Sequence, residues 1–289
     1  MKIHTLSVII GNTACNAQCP FCVSKMTPPC GNLKTQDLNF RNFKVACQFA
    51  QQSGVNTVLL TGKGEPTLFP KEINRYMEFL ANLQIFPFIE LQTNGLVFDH
   101  YQFKENYTPY WYNIGMTTIS LSVVHYDIFK NAELIYPTIN FDYWEIVDYF
   151  HQIGFSVRLN CTMVGGYMDN IEAFKRMVEK CNKYKVEQLT FRSATKPDKS
   201  ENEEVANWID HNNTNGFEKK LYTFLKENNS AVELLQLPHG ATIFDFNGQN
   251  VCINNCLTSN TDPERIRQLI FFPDGHLRYD WKYQGAIIL

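Results

Sequence analysis

Two hydrophobic periods alternate along the first two thirds of the chain. Short apolar, β-branched runs predict strands at residues 5–10, 55–61, 86–93, 117–124, 155–163 and 186–193. Helical spacing fills most of the gaps. Residues 35–53 place Leu38, Phe43, Ala46, Phe49 and Ala50 on one face, and Gly54 stops them. Residues 71–83 do the same with Ile73, Tyr76, Met77 and Leu80, and helices are also predicted at 143–153 and 171–184. Residues 95–116 carry no clean helical stripe. Strands followed in turn by helices argue for an α/β fold with a parallel sheet, either a partial barrel of six units or an open doubly wound sheet.

Beyond residue 196 the pattern changes. Residues 197–215 are polar and read as a connection or lid with a short helix, followed by a helix at 217–227. Strand-like pieces then follow without helices between them, at 232–237, 242–246, 267–272 and 276–281. Phe272-Pro273-Asp274-Gly275-His276 is a hairpin signal, with Asp-Gly at the turn. The expected organisation is a core at 1–196 and a lid, helix and β-rich extension at 197–289.

Composition narrows the class. The chain has 289 residues, 44% hydrophobic and 19% charged, which is ordinary for a globular protein able to bury a full core. A net charge of −3 gives no long-range attraction for nucleic acid or anionic membrane. No apolar run is long enough to span a bilayer, and the stretch before Gly11 is too short for a secretory signal. The nine cysteines are clustered rather than arranged as a disulfide framework, so a reducing, cytoplasmic setting is expected.

The cluster Cys15-x3-Cys19-x2-Cys22 sits directly after the first predicted strand. Thiolates at this spacing let one loop wrap a metal centre. Three ligands, where an electron-transfer cluster takes four, leave one iron open to a small molecule. A zinc knuckle completed by Cys30 or a histidine fits the same spacing. The motif, with Phe21 just before the last cysteine, resembles the signature of the radical S-adenosylmethionine (SAM) superfamily, and the resemblance runs over residues 4–195. It implies a partial (β/α)6 TIM-like barrel, a 4Fe–4S cluster on Cys15, Cys19 and Cys22, and SAM chelated to the open iron. It also implies a one-electron donor such as flavodoxin or ferredoxin, and a 5′-deoxyadenosyl radical that abstracts a substrate hydrogen.

Further motifs extend it. Leu59-Leu60-Thr61-Gly62-Lys63-Gly64-Glu65-Pro66 resembles the family segment that holds the methionine amine, so Gly64 and Glu65 carry that role over. Lys63 lengthens the segment and is expected to face outward. Strand alternation gives polar rows near the strand ends: Glu90, Gln92 and Asn94; Thr118, Ser120 and Ser122; Arg158, Asn160 and Thr162; Gln188, Thr190 and Arg192. A polar ligand within a barrel would partner them. An antiparallel sheet with one wet face is the other reading, and the intervening helices count against it. The resemblance implies ribose contacts from Ser120 and Ser122, and carboxylate and ribose contacts from Arg158 and Asn160. Gln92-Thr93-Asn94-Gly95 resembles the branch containing the molybdenum-cofactor cyclising enzyme, which adds Asn94 to the cofactor-binding set. By alternation Cys161 belongs to the core rather than the lumen.

Other candidates are less defined. His125, past the fourth strand, is a substrate contact or proton donor, or a solvated loop histidine. Cys252 and Cys256 suggest an auxiliary metal site, although a complete one needs more ligands. His276, Arg278 and Tyr279 are candidate substrate contacts. The functional expectation is a radical SAM enzyme acting on a small-molecule or nucleotide-like substrate, with nucleic acid disfavoured by the charge. A peptide-modifying maturase of the same family is the alternative, and a non-catalytic zinc or iron–sulfur regulatory module is the rival from another class.

Overall fold

The computed structural model describes residues 2–29, 38–136, 141–237, 240–254 and 265–289. Six strands, β1 (Lys2–Ile9), β2 (Thr57–Thr61), β3 (Phe88–Thr93), β4 (Thr118–Val123), β5 (Ser156–Met163) and β6 (Gln188–Ser193), lie side by side in chain order and all parallel. The crossovers carry helices α1 (Phe40–Gln52), α2 (Pro70–Leu83), α3 (Tyr101–Asn113), α4 (Ile128–Ile135), α5 (Tyr143–Ile153) and α6 (Ile171–Lys183). This is the α/β core that the alternation of periods predicts, in the partial-barrel form that the resemblance implies.

Each predicted helix packs its apolar face on the sheet. Phe43, Ala46, Cys47 and Ala50 of α1 and Ile73, Tyr76, Met77 and Leu80 of α2 are buried in the main core. Cys161 and Cys181 are buried in the same core. Side-chain caps start α1, α5 and α6: Asn39, Asp142 and Asn170 accept from backbone N–H groups of the first turn.

Two helices were not predicted. α3 fills the stretch where no stripe was visible, because only Thr108 and Trp111 of its thirteen residues are buried and Pro109 lies inside it. The Trp111 indole donates to Asn74 Oδ1 of α2 at 2.6 Å, which anchors α3 without a continuous apolar face. The eight-residue α4 is short, and its start is set by Asp127 accepting from Phe129 and Lys130 N–H.

The C-terminal third returns to the same sheet at both edges. After α7 (Glu203–His211) and α8 (Phe217–Glu227), strands β7 (Ala231–Gln236), β8 (Thr242–Phe246) and β9 (Gln249–Ile253) form an antiparallel set, and β9 pairs parallel with β6. β9 was not predicted, although Asn247-Gly248 between β8 and β9 is a hairpin signal; both residues have positive φ, 52° and 82°. At the opposite edge β10 (Arg265–Phe271) pairs parallel with β1, and β11 (Leu277–Arg278) pairs with β10. The first and one of the last strands are therefore neighbours. Asn42 Nδ2 donates to the Gly275 carbonyl at 3.0 Å, which docks the predicted 272–276 hairpin on the start of α1.

Phe43 joins the β10 edge to the helical layer. Its ring is fully buried, 5.1 Å from Phe271 of β10 and 4.9 Å from Tyr76 of α2. Truncation by Phe43→Ala is expected to cost about 3–5 kcal/mol. Denaturant unfolding will show this as a lower midpoint with an unchanged slope.

Candidate functional site

β1 ends at Ile9 and the chain turns sharply at Gly11, whose φ is 68° and whose added Cβ would lie 2.1 Å from the Phe69 ring. Only glycine fits there. The loop that follows carries the three thiols and ends in a 3-10 turn at Val23–Met26. It is held from both sides. Ala14 N–H donates to Asn12 Oδ1 at 2.8 Å, Ala17 N–H to Cys15 Sγ at 3.4 Å, and Gln18 N–H to the Ile135 carbonyl of α4 at 2.7 Å.

Cys15 is exposed, and Cys19 and Cys22 are partly buried. Burial pushes the Cys19 thiol up to about 12, and negative charge on Cys22 and then Cys15 pushes in the same direction. Cys15 is also raised, first by burial, against the lowering effect of the Ala17 amide. Neighbouring thiolates repel one another, and a bound metal cation would favour their ionised form. Among the described residues no three His, Cys, Asp or Glu side chains close on a single ion. Cluster thiolates bind different irons and need not share a point.

The second element is the loop after β2. Glu65 N–H donates to the Ala14 carbonyl at 2.9 Å, so this loop lies directly on the cysteine loop. A Cβ at Gly64 would sit 2.0 Å from that same carbonyl oxygen, which explains the glycine. The Glu65 side chain is 3% exposed and turns to the end of β3. Its Oε1 accepts from Thr67 N at 3.0 Å, Thr67 Oγ1 at 2.6 Å and Thr93 Oγ1 at 2.6 Å, while Oε2 accepts from Asn94 N at 2.9 Å. Burial raises the Glu65 pKa above 4.5, and these donors pull it back. Oε2 keeps acceptor capacity for another donor.

Asn94 completes the junction: its Nδ2 donates to Asn16 Oδ1 at 2.8 Å and lies 3.8 Å from Cys15 Sγ. Thr67 and Thr93 were missed. Alternation assigns Thr93 to the face opposite Glu90, Gln92 and Asn94, and its hydroxyl donates to Glu65 Oε1. The Thr two residues after Glu65 was the available signal, since a short hydroxyl there can close on the carboxylate. Lys63 is a correction. Expected to face outward, it is 4% exposed, with its ammonium hydrogen-bonded to Thr27 Oγ1 and 6.0 Å from the Trp281 ring centroid. The glycines on either side let its backbone run close to the cysteine loop, and this draws the side chain in.

The polar rows align across strands as rungs. Gln92, Ser120, Arg158 and Gln188 are register partners, and one step further along, Ser122, Asn160, Thr190 and Cys252 are partners. Asn160 Nδ2 donates to Ser120 Oγ, and both residues are buried. Arg158 lies on the lower rung. Its Nη1 meets Glu90 Oε2 at 2.7 Å and its Nε donates to Gln188 Oε1 at 2.7 Å. Among the described residues, no hydrogen bond or ion pair joins Arg158, Ser120 or Ser122 directly to the Cys15, Glu65 and Asn94 junction.

His125 is 2% exposed, which overturns the reading of a solvated loop histidine. Its Nδ1 accepts from Asp127 N–H at 3.0 Å, its carbonyl accepts from the Tyr143 hydroxyl at 2.6 Å, and its ring lies 4.2 Å from that of Tyr126. Burial, then the Lys130 charge, lowers its pKa below 6.5. Cys252 is partly buried on β9, and Cys256 and Cys30 lie outside the described residues. Arg278 bonds Asp274 Oδ2 at 2.6 Å and stacks 4.2 Å from the Phe272 ring centroid, while His276 pairs with the same aspartate and Tyr279 is exposed.

A family model described as the radical SAM superfamily matches residues 9–181. No curated protein sequence matches the chain. Among solved structures, Streptococcus suis SuiB bound to the precursor peptide SuiA is 15% identical, with a TM-score of 0.61, covering 99% of this chain and 61% of that one. The same protein bound to S-adenosylmethionine is 16% identical, with a TM-score of 0.55, covering 98% and 62%. HydG, a maturase of the FeFe hydrogenase, is 12% identical, with a TM-score of 0.50, covering 75% and 48%. The chain therefore spans about three fifths of SuiB, and the likeness at these identities is one of fold.

Two outcomes follow from the geometry. Gly64→Ala must displace the Ala14 carbonyl, so it is expected to destabilise by about 1–3 kcal/mol and to lower iron uptake while far-UV circular dichroism stays the same. Because folding depresses the His125 pKa below 6.5, the unfolded chain takes up that proton first. Stability is expected to fall as pH drops through about 6.5 and to level off below the folded-state value. His125→Gln will remove that step from pH-dependent melting.

Proposed function

The chain belongs to the radical SAM superfamily, and we propose that it is an enzyme that reductively cleaves S-adenosylmethionine to begin hydrogen abstraction from a substrate held in the barrel. The family's cofactors are a 4Fe–4S cluster and SAM. When bound, they supply a 5′-deoxyadenosyl radical. The residues present suit them: three thiols on one loop, none of them paired in a disulfide, beside a glycine that permits backbone approach and a buried carboxylate with acceptor capacity to spare.

The observation that carries this reading is the Glu65 junction. Its backbone grips the cysteine loop at Ala14 while its side chain is fixed by Thr67, Thr93 and Asn94. In the proposed assignment Cys15, Cys19 and Cys22 bind three irons. The Gly64 backbone and Glu65 receive the methionine amine next to them, and Asn94 holds the loop against them. Ser120, Ser122 and Asn160 face the ribose from the rungs. Arg158, with three of its N–H groups taken by Glu90 and Gln188, offers the rest toward the carboxylate. His125, buried and neutral with Nδ1 accepting, presents Nε2–H as a donor. The protein's part is positioning and exclusion of water. A flavodoxin- or ferredoxin-like protein would deliver the electron.

For the substrate we favour a small or nucleotide-like molecule that fits between the rungs. The likeness to peptide-bound SuiB supports a second reading, a peptide substrate, because it extends over 99% of the chain and takes in the C-terminal strands as well as the barrel core. Among the described residues no helix is long and apolar enough to cross a membrane.

Anaerobic reconstitution tests the proposal. Unsubstituted protein should bind about four irons per chain and release 5′-deoxyadenosine from SAM and a strong reductant. Cys15→Ala, Cys19→Ala and Cys22→Ala should each abolish that product. Bound zinc, or a cluster that yields no 5′-deoxyadenosine, would instead support the regulatory-module reading.

A further inference from the structure

One rung beyond Thr190, β6 carries an arginine that the fold leaves unused. Arg192 stands on the same face of the strand as Gln188 and Thr190, because Leu189 and Phe191 are fully buried in the core on the other face, with the Phe191 ring 5.4 Å from Phe174 of α6. Arg192 is four residues past Gln188, about 13 Å further along the strand toward the mouth. Its side chain is partly buried, and among the described residues it makes no hydrogen bond, ion pair or ring contact. Arg158 gives the contrast: on the lower rung it is neutralised by Glu90 and donates to Gln188. A cation drawn partly out of water with nothing to pair it costs the fold stability.

Its neighbours on the sheet are in the same condition. The register partner on β5 is Thr162, partly buried, whose hydroxyl also makes no hydrogen bond among the described residues. On the other side the ladder runs on to Asn254, just past β9, whose N–H donates to the Phe191 carbonyl at 2.9 Å. Its Oδ1 is buried with no hydrogen-bond partner among the described residues. A cation, a hydroxyl and an amide oxygen therefore stand at adjacent positions with their polar capacity unspent. They belong to the cluster end of the barrel. Ala194, two residues past Arg192, packs against the same apolar cluster as Phe21, the residue before Cys22, and that cluster includes Met26. The chain leaving β6 thus crosses to the thiol loop, and Arg192 stands at the foot of the crossing.

Resting on the radical SAM reading, we propose that Arg192 anchors the substrate by a carboxylate or phosphate group that it carries. A guanidinium presents a planar fork of N–H groups that meets either oxyanion at two points, and a hydroxyl beside it supplies a further donor. Asn254 Oδ1 is left to accept from an N–H or O–H of the same molecule. The small or nucleotide-like substrate favoured above is accordingly an acidic one. The methionine carboxylate of the cofactor is assigned to Arg158, so this is a second anion site, and SAM leaves it open.

The test is a calorimetric titration of the anaerobically reconstituted full chain, run without SAM and again at saturating SAM. The probes are inorganic phosphate and acetate, each at constant ionic strength maintained with chloride. At least one should bind saturably in both runs, and the one that binds identifies which of the two groups the site takes. Arg192→Gln should weaken that binding about tenfold or more, because it removes a charge-assisted contact. Arg192→Lys, which keeps the charge without the fork, should retain more of it than Arg192→Gln. Since Arg192 bonds nothing in the fold, Arg192→Gln should melt no lower than the unsubstituted protein in the absence of anion. A lower melting temperature, or failure of Arg192→Gln to fold, would assign the arginine to stability and overturn the proposal. Binding of neither probe to the unsubstituted protein, or equal binding to Arg192→Gln, overturns it as well. Displacement of the anion by SAM would give the site to the cofactor and overturn it too. A four-iron cluster missing from the unsubstituted protein is a separate result; it removes the radical SAM reading and this inference with it.

Discussion

A buried carboxylate ties the mouth of this barrel together. Removing an ionised Glu from water is costly unless hydrogen bonds replace the lost hydration. Glu65 recovers it with two hydroxyls and two backbone N–H groups, drawn from its own loop and from the end of β3. Its backbone reaches the cysteine loop after β1. Three successive strand ends are thereby held at one spacing. Burial raises the Glu65 pKa, and each of these donors opposes that shift by stabilising the carboxylate.

The barrel below that junction is polar for the same physical reason. Parallel strands covered on the outside by helices are apolar on that side, as Leu91, Leu121, Leu159 and Leu189 show. Residues between them in sequence lie side by side on the other face, where Arg158 donates to Gln188 and Ser120 accepts from Asn160 of the next rung. Glu90 and Arg158 neutralise each other there, and Gln92 adds a bond to Glu90 at 3.0 Å. The lower rung is largely self-satisfied. The next rung, with Ser122, Thr190 and Cys252 only partly buried, leaves more of its polar capacity open toward the mouth.

What was legible in the sequence follows from the range of each interaction. The six parallel strands and the strongly periodic helices could be read because one stripe of side chains decides them. The cysteine spacing and the Gly64-Glu65 pair could be read because they are local. α3 was hidden because a Trp–Asn bond and few buried residues hold it. The contact of Thr93 with Glu65 was hidden because it joins two strand ends 28 residues apart, which no period within one strand can mark. Lys63 was misplaced because charged side chains are rarely buried, and nothing local announces the Thr27 hydroxyl or the Trp281 ring that receive it.

The pairing of β10 with β1 is the least local feature, joining Lys2 to Arg265 and Val8 to Phe271. No periodicity in either strand could indicate that partner. Its consequence bears on the site. Ile9, the last residue of the strand that leads into the cysteine loop, packs with Ile270, Phe272 and Trp281. One wall of the loop is thus made by residues from the far end of the chain. Loop-closure entropy over that separation must be offset before the wall forms, and the offset comes from the buried rings of Phe43 and Phe271 and from the ladder itself. The thiol loop therefore acquires its final surroundings only after the C-terminal strand has docked. The site is a property of the completed sheet rather than of the N-terminal motif alone.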